Sequence, residues 1–577
     1  MYNKIIIVLI LYFFALNLSA QNKYYQISVG WDIPNTINGF SILEQANNYI
    51  MAGSIFNNNT NDMWITYSAI VNSSGELLDT NEYHIDSTLF HGATIRAMLP
   101  TDYGYIMVGF INNASMSLTS VYLVRTNHNG ELIDQTVLEP SINTNYTNVG
   151  FSICQTPDNG YLVGGYSGTQ NWSIPYLCKL NADLQLEWDT LYEQYANIES
   201  KIRLLKPATN GNGYYAVLNI NTTYSEGDIA VLRIDDNGTI LEEHIYGEST
   251  DKKELVSGFI ETLDNEYAIT FYQIPNTGPR YCGLLKTDQI NGIEWANNTM
   301  YYNGGLDGGV MQLPDSSFIV SGSYVKQVEP YDVDIELNKF SNSGQWLWTR
   351  HYGNEGNDYI YDMIVDSQGS LVFCGRDEAV NLPDVINGAN VYLLKTNCMG
   401  LLTQPQAAFT ATMDSAALTA TFQNLSQFVY PDSIDGGHYI WEFGDGATST
   451  QANPTHTYTQ GGNYTVTLTA VVCSDTSVFV QEVSTWATGT NNVVNTNGIK
   501  VYPNPANDIV MIDTHLQNNE QATISICDIT GHKLTQLPIQ GTAKYQVNIA
   551  TYTSGMYYCV LTKGDNTVQR IKLAIIK

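Results

Sequence analysis

One segment recurs along most of this chain, and the repeat constrains the fold more than any other feature. Its clearest copies are PDNGYLVGG at 157–165, TDYGYIMVG at 101–109 and PDSSFIVSG at 314–322. Weaker copies stand at 45–53, 210–218, 262–270 and 366–374. A second apolar segment follows each copy and ends near one position, occupied in turn by Ile70, Arg125, Lys179, Arg233, Lys286, Lys339 and Lys395. These positions are 53 to 56 residues apart, so the chain contains seven copies of one structural unit.

Each copy contains four strand-like pieces. In the third copy they are FSICQT, YLVGG, YLCKL and LEWDTLY, with Gly, Asn and Asp in the turns between them. Alternating apolar residues with such turn residues between the pieces indicate antiparallel hairpins. No copy has a helical periodicity long enough for a crossover helix. Tyr, with 40 copies against 17 Phe, suits half-buried strands. We therefore predict an all-β fold in which residues 21–402 form a seven-bladed β-propeller.

The chain also indicates how such a ring closes. The seventh copy, at 358–399, lacks a fourth strand, whereas the N-terminal segment NKYYQISVGWD contains a strand without a unit of its own. We expect residues 24–28 to pair antiparallel with residues 391–395 and to complete the last blade. This closure removes two exposed sheet edges, which otherwise promote aggregation.

Two expectations concern the recurring basic residue of the repeat and the cysteines of the whole chain. The recurring Lys or Arg is expected to lie outward over apolar neighbours, because its stem is apolar. Eight Cys residues, none in a Cys-x-x-Cys pair, give no support to zinc or thioredoxin-like chemistry. Cys374 with Cys398, and Cys527 with Cys559, are candidates for neighbouring strands in an oxidising compartment. The alternative is that each buried Cys acts as a small hydrophobic residue.

A second kind of module follows the repeat. The segment YIWEFGDGATSTQANPTHTYTQGGNYTVTLTA at 439–470 has Trp441, the Gly-Asp-Gly turn around Asp445, and His456. With these residues, 406–483 resembles a PKD domain, an immunoglobulin-like β-sandwich. The resemblance implies a spacer, or a weak contact to carbohydrate or protein. We expect Asp445 to cap a turn, with calcium binding as the alternative, and His456 to be structural.

The C-terminal part of the chain consists of a predicted linker and a further module. Residues 484–498 are rich in Ser, Thr, Asn and Gly and are predicted to be a flexible linker. Residues 499–577 contain VYPNP, a D-x-x-G hairpin at 528–531, a G-x-Y strand at 555–557 and a basic finish. They resemble the β-sandwich sorting domain of type IX secretion cargo in Bacteroidetes; the alternative is a plain β-sandwich used for binding. The resemblance implies recognition by an outer-membrane export machine, removal by a sortase-like peptidase, and attachment to the cell surface or release.

The N-terminus agrees with export. MYNKIIIVLILYFFALNLSAQ contains Lys4, an apolar core at 5–16 and a small-residue exit at 18–20. This order is typical of a cleaved signal peptide at 1–20 rather than a transmembrane anchor, and no later stretch is apolar enough to span a bilayer. The net charge of −31 disfavours nucleic acid and anionic membranes as partners. We therefore expect a protein that passes through the periplasm to the outer cell surface.

The sequence contains no familiar catalytic motif. It has no Gly-x-Ser-x-Gly elbow, no His-Glu-x-x-His helix and no phosphate-binding loop. SNSGQWLW at 341–348 partly matches the S-x-D-x-G-x-x-W turn of sialidases, with Ser343 in place of the Asp and Gly344 one place early. Arg96 and Arg203 lie on first strands and are candidates for lining a channel, but sialidases need a larger arginine cluster for the substrate carboxylate.

We accordingly assign no catalytic, cofactor-binding or metal residue, and no cofactor beyond the calcium alternative at Asp445. The favoured function is a surface-displayed binding or adhesion protein that contacts an extracellular glycan or protein through the propeller and the PKD module. The alternative is a surface glycoside hydrolase or lyase with a propeller catalytic domain.

Overall fold

The computed structural model of the chain describes most residues from 23 to 577. The segments outside the description are 1–22, 30–34, 58–62, 87, 116–117, 140–145, 170–171, 197–199, 222–226, 248–251, 276–279, 289–291, 303–308, 327–331, 380–388, 415, 430–436, 486–497, 517–519 and 565. The predicted signal peptide and most of the predicted linker therefore lie outside the described residues. The described part is almost entirely β structure, with a single 3-10 helix at Glu193–Tyr195. Within it, no helix has the length and apolar character needed to cross a membrane.

The repeat region consists of four-stranded antiparallel sheets. Its strands, in chain order, are β1 (Tyr25–Val29), β2 (Asn35–Gln45), β3 (Asn48–Asn57), β4 (Met63–Asn72), β5 (Leu77–Tyr83), β6 (Phe90–Thr101), β7 (Gly104–Asn113), β8 (Thr119–Asn127), β9 (Leu132–Val137), β10 (Thr147–Gln155), β11 (Tyr161–Thr169), β12 (Trp172–Leu180), β13 (Leu186–Leu191), β14 (Lys201–Pro207), β15 (Tyr214–Asn221), β16 (Gly227–Ile234), β17 (Ile240–Tyr246), β18 (Lys252–Glu261), β19 (Tyr267–Pro275), β20 (Arg280–Asp288), β21 (Gly292–Tyr302), β22 (Val310–Gln312), β23 (Phe318–Val325), β24 (Val333–Phe340), β25 (Trp346–Tyr352), β26 (Gly356–Val365), β27 (Leu371–Ala379) and β28 (Asn390–Thr396).

Each copy of the repeat contributes one group of consecutive strands. The groups are β2–β5, β6–β9, β10–β13, β14–β17, β18–β21 and β22–β25, and β26–β28 are joined by β1. A single parallel bridge between Gly227 and Lys253 connects the fourth group to the fifth. The first strands of successive groups contact one another, and the first strand of the first group contacts the last group. This arrangement is propeller-like; the number of blades stays a prediction.

The N-terminal strand completes the last sheet, as expected. β1 pairs antiparallel with β28, residues 25–29 lying opposite residues 391–395, one residue later than the expected start. Across the same seam, the Ile37 N–H donates to the Ala389 carbonyl at 2.8 Å. The apolar side chains at this seam form one cluster that includes residues of the first and last sheets. The chain end therefore seals the sheet that the seventh copy leaves incomplete.

The expectation of an outward basic residue is wrong in four copies. The side chains of Lys179, Lys286, Lys339 and Lys395 are at most 4% exposed. Each ammonium forms an ion pair with an acid of the turn between the first two strands, namely Asp158, Asp264, Asp315 and Asp366. Because that carboxylate lies beside the third strand, the ammonium is neutralised within the sheet and does not need to reach water. Arg125 and Arg233 remain half-buried.

The turns that resemble sialidase motifs hold neighbouring sheets together. Gly344 has a φ of 79°, and the Trp295 indole of the preceding sheet lies against it and donates to the Asn342 carbonyl at 3.1 Å. A Cβ on Gly75 would come within 3.1 Å of Tyr25. Tyr25 of β1 therefore packs on the turn of the first sheet as Trp295 packs on the turn at Gly344. A side chain at these turns would collide with the neighbour, which gives the motif a structural reason to keep glycine.

Two further β-sandwiches follow. The first contains β29 (Phe409–Asp414), β30 (Thr419–Asn424), β31 (His438–Glu442), β32 (Thr448–Ser449), β33 (Thr455–Thr457), β34 (Asn463–Val472) and β35 (Asp475–Ser484). The second contains β36 (Ile499–Tyr502), β37 (Ile509–His515), β38 (Gln521–Cys527), β39 (Lys533–Gln540), β40 (Thr542–Asn548), β41 (Gly555–Lys563) and β42 (Asn566–Ile575). Each has two sheets around an apolar core, and Trp441 is fully buried in the first.

The first sandwich is docked on the propeller. Its core is continuous with apolar residues of the last two propeller sheets, among them Trp348 and Met399. Asp475 accepts a hydrogen bond from the Tyr24 hydroxyl and lies 2.7 Å from the Lys23 ammonium. The module is therefore fixed against the point where β1 closes the ring.

The cysteine pairs considered from the sequence do not form. Cys398 is bonded to Cys473 of the first sandwich, because docking brings those two loops together. Cys374 is free and buried. Cys527 and Cys559 do lie on paired strands, but Cys527 stands opposite Tyr558, which directs the two thiols to opposite faces. All six free cysteines are buried and act as small hydrophobic residues.

Candidate functional site

A β-bulge interrupts the first strand of a repeat sheet at the same place in each sheet where that place is described. The bulged residues are Phe40, Arg96, Phe151, Arg203, Ser257 and Tyr361. In the sheet of β22–β25 the equivalent position lies outside the described residues. A bulge turns its extra side chain away from the regular alternation of the strand. Because the first strands contact each other around the ring, we call these six residues the bulge belt of the inner wall.

Side chains of the bulge belt contact one another between sheets. The rings of Phe40 and Tyr361 have centroids 5.0 Å apart, and the Arg96 guanidinium carbon lies 4.6 Å from the Phe40 centroid. On the next stretch of the wall, the Arg203 guanidinium carbon lies 5.0 Å from the Phe151 centroid. These distances suit cation–π attraction. All six belt side chains are half-buried, so they keep a surface from which a ligand can be contacted.

The belt brings positive charge to the inner wall of an acidic protein. Lys201, two residues before Arg203, lies 5.6 Å from the Phe151 centroid. Burial raises the pKa of the nearby Tyr166 hydroxyl, and the charge of Arg96 opposes that rise. Guanidinium groups beside aromatic rings bind planar anions such as carboxylates, and also the faces of rings and amides. The arrangement is therefore suited to recognition.

Asp362 is an acidic residue of the inner wall that connects two sheets. Asp362, next to Tyr361, accepts hydrogen bonds from the Ser41 hydroxyl at 3.0 Å and the Ile42 N–H at 2.9 Å. Burial raises its pKa, against the Ile42 hydrogen bond and the charge of Lys206. Its Oδ2 thus joins the first sheet to the last, while its Oδ1 accepts from the adjacent Met363 N–H at 2.9 Å.

The structure places both predicted arginines on the belt but on separate sheets. Arg96 lies on β6 and Arg203 on β14, and Phe151 of β10 stands between them in ring order. Among the described belt residues there is no third arginine. Sequence reasoning missed the aromatic members, although their constant place in the repeat, five residues before the first turn residue, was a usable signal.

The two candidates in the first sandwich contact each other and the turn around them. The Ala447 N–H donates to Asp445 at 3.0 Å, and His456 Nε2 lies 2.8 Å from the same carboxyl group. The His456 ring stacks on Phe443 at 4.3 Å between centroids. Burial opposes ionisation of Asp445, but the His456 hydrogen bond lowers its pKa below the usual range. Across the described residues, no group of three or more His, Cys, Asp or Glu side chains could hold a metal ion. Asp445 caps the turn through the Ala447 N–H, as predicted, and calcium binding there stays the alternative.

Comparisons with known families identify the two C-terminal modules. Residues 500–577 match the secretion system C-terminal sorting domain, and residues 403–484 match the PKD domain. A sorting domain of this type directs type IX export, so the protein is exported to the cell surface or the medium. It also implies an interaction with the type IX secretion machinery.

Sequence relatives share only a short segment. The chain is 68% identical over 31 residues to Collagenase ColA of Bacillus cereus, which covers 5% of this chain and 3% of that protein. It is 53% identical over 47 residues to the pre-pro-metalloprotease PrtV of Vibrio cholerae, which covers 8% of this chain and 5% of that protein. The chain thus spans a small fraction of the length of these relatives.

Solved structures are similar to separate parts of the chain. The PKD1 domain of Vibrio anguillarum Epp is 27% identical and covers 15% of this chain and 96% of its own, with a TM-score of 0.13. The polysaccharide lyase Uly1 is 9% identical and covers 62% and 90%, with a TM-score of 0.39. The β-propeller domain of the trilobed protease from Pyrococcus furiosus is 12% identical and covers 64% and 95%, with a TM-score of 0.35.

Proposed function

We propose that this exported protein is a binding or adhesion protein displayed at the cell surface, whose seven-bladed propeller contacts an extracellular glycan or protein through the bulge belt. The observation that carries the proposal is a row of contacting side chains on neighbouring sheets, in which the Tyr361 ring lies beside the Phe40 ring and the Arg96 guanidinium lies over the Phe40 ring. Aromatic faces contact the apolar faces of sugars and side chains, and Arg donates paired hydrogen bonds to carboxylates.

The rest of the molecule supports a rigid display of this wall. The ring is closed by β1, and the disulfide between Cys398 and Cys473 fixes the PKD module to the propeller. A rigid scaffold loses little conformational entropy when it binds, so a modest number of contacts suffices for affinity. The sorting domain then serves delivery, and a sortase-like peptidase removes it when the protein is attached to the cell or released.

Binding arrays with residues 21–577, the chain without its predicted signal peptide, test the proposal. Wild-type protein should bind a defined subset of glycans or extracellular-matrix proteins. Arg96→Gln and Arg203→Gln should each weaken that binding at least tenfold, because each removes a charged donor worth about 1.5–3 kcal/mol. Arg233→Gln is the matched control, since Arg233 is half-buried and pairs with Glu242 on an outer strand at 2.8 Å.

Two results would count against the proposal. Equal loss of binding in the control and the belt variants would show that the belt does not carry recognition. Release of products from polysaccharide pools, lost in Arg96→Gln or Arg203→Gln, would replace binding by the hydrolase or lyase alternative.

A further inference from the structure

An open cleft of about 510 Å³ lies where the propeller meets the PKD module. Its wall comes from three parts of the chain, with Gln26 from β1, Asp334 and His351 from the sheet of β22–β25, and Phe428 from the PKD module. We call it the junction pocket. Its volume is within the range of about 300–1,000 Å³ that small-molecule sites occupy, and it is distinct from the bulge belt.

The polar wall of the junction pocket is held in place by its own contacts. The Lys326 ammonium lies 2.9 Å from Asp334 and 3.0 Å from Asp332. The Gln26 amide donates to the Gly353 carbonyl at 3.0 Å. Because these side chains are already oriented, a ligand that hydrogen-bonds to them loses little of its binding free energy to ordering the wall.

The charge of this wall selects against anions. Lys326 is shared between two carboxylates, and His351 Nε2 lies 2.7 Å from Glu336. Of these groups, Asp334, Lys326 and His351 line the pocket. Asp332 and Glu336 lie behind the lining and pair with its two basic groups, so the bases are already neutralised and do not attract a carboxylate or sulfate on the ligand. The paired groups still offer donors and acceptors to a neutral hydroxyl-bearing ligand.

The aromatic wall contains a strained residue. Phe428 has a φ of 59°, a left-handed conformation that is a genuine outlier for a bulky side chain. It is held there on one side by the paired backbone hydrogen bonds of Gln427 and Gln406, and on the other by the buried Val429. Strain of this kind persists where the surroundings fix it, and it is concentrated at binding sites. Its ring, with the exposed Leu402, forms an apolar side of the pocket.

We propose that the junction pocket binds one uncharged pyranose unit of a saccharide, whose apolar face lies on Phe428 and whose hydroxyl groups bond to Asp334, Lys326 and Gln26. The site exists only in the closed molecule, since β1, the sixth repeat sheet and the PKD module must all be in place. Its polar wall has basic groups that are paired with carboxylates, whereas the bulge belt offers arginine.

Saturation-transfer NMR and calorimetry on residues 21–577 test this site. The probes are D-glucose, D-galactose, D-mannose and N-acetyl-D-glucosamine, with D-glucuronate as the charged comparison. At least one neutral sugar should bind, and glucuronate should bind at least tenfold more weakly. Arg96→Gln should leave this binding unchanged, so failure here and failure of the belt proposal are distinguishable.

Phe428→Asn separates a binding role from a structural one. Asn accepts the left-handed conformation, so the midpoint of thermal unfolding of this variant should be equal to or above that of the wild type. Its affinity for the neutral sugar should fall at least tenfold. Phe428→Tyr should restore binding, and Tyr103→Asn, a remote ring that is 81% exposed, should change nothing. Absence of binding by all four neutral sugars, tighter binding of glucuronate, or unchanged affinity in Phe428→Asn would each overturn the proposal.

Discussion

Replacing Asp366 by Asn tests how the buried lysines of the repeat are tolerated. The side chains of Asp366 and Lys395 are each 1% exposed and lie 3.1 Å apart, and the Tyr49 hydroxyl donates to Asp366 at 2.7 Å. The substitution keeps the shape but leaves the Lys395 ammonium buried without an opposite charge. Removing one partner of a buried ion pair costs roughly 3–5 kcal/mol, and we expect a loss of that size in the free energy of unfolding.

Asp158→Asn is the matched control at the same turn of another sheet. Asp158 is 60% exposed, and its partner Lys179 has a second acid, Glu187, at 3.2 Å. Because Asp158 itself is exposed and Glu187 still neutralises the Lys179 ammonium after the substitution, this variant should unfold close to the wild type. Urea unfolding followed by Trp fluorescence measures both midpoints.

The pH dependence gives the same test a second readout. Burial opposes ionisation of Asp366, but the hydrogen bonds from Tyr49 and Ser370 and the charge of Lys395 lower its pKa below the usual range. A lowered carboxyl pKa adds stability above its unfolded value of about 3.9 and loses it as the pH falls through the folded value. Asp366→Asn should therefore lack that acid-dependent part. Equal losses in the two variants, or an unchanged acid dependence, would refute the reasoning.

Four further outcomes are expected. Deleting residues 21–30 should expose the edge of β28 and cause aggregation or loss of cooperative unfolding, measured by light scattering and calorimetry; a monomeric, cooperatively unfolding product would contradict the closure. Replacing Cys398 and Cys473 by Ser opens a loop with a sequence separation of 75, and should cost about 4.5 kcal/mol at 25 °C in the chain-entropy treatment; an unchanged melting temperature would disprove it. Burial and the opposing Asp377 raise the pKa of Asp358, so stability should fall as the pH rises above the ordinary carboxyl range, and Asp358→Asn should remove that fall in a pH series of melts. Removing residues 499–577 should leave the protein in the periplasm, as fractionation would show; normal surface display would rule this out.

Periodic features could be predicted from the sequence because each depends on nearby residues. The repeat placed the strands, and an unpaired N-terminal strand together with an incomplete seventh copy predicted that residues 24–28 pair with residues 391–395. The observed pairing begins one residue later, at Tyr25. Trp441 and its turn identified the PKD module for the same reason, since the motif is continuous in the chain.

Features that depend on contacts between residues distant in the sequence were not predicted. Lys179 was expected to point outward because its neighbours in sequence do not reveal that Asp158, 21 residues earlier, lies beside its ammonium. The aromatic members of the bulge belt were missed because a bulge changes which face a residue takes, and alternation alone cannot locate it. The bond between Cys398 and Cys473 follows from docking of two modules, which no local pattern records.

The way β1 completes the last sheet also sets an order of events for a newly made chain. Tyr25 pairs with Lys395, 370 positions later, so β1 must wait for its partner until the last copy of the repeat has appeared. Until then, two sheet edges remain available to other chains, and contacts between such distant residues form slowly. The same chain end also contacts the first sandwich, since the Tyr24 hydroxyl donates to Asp475, 451 positions later, so its full set of contacts needs both the last repeat sheet and the PKD module.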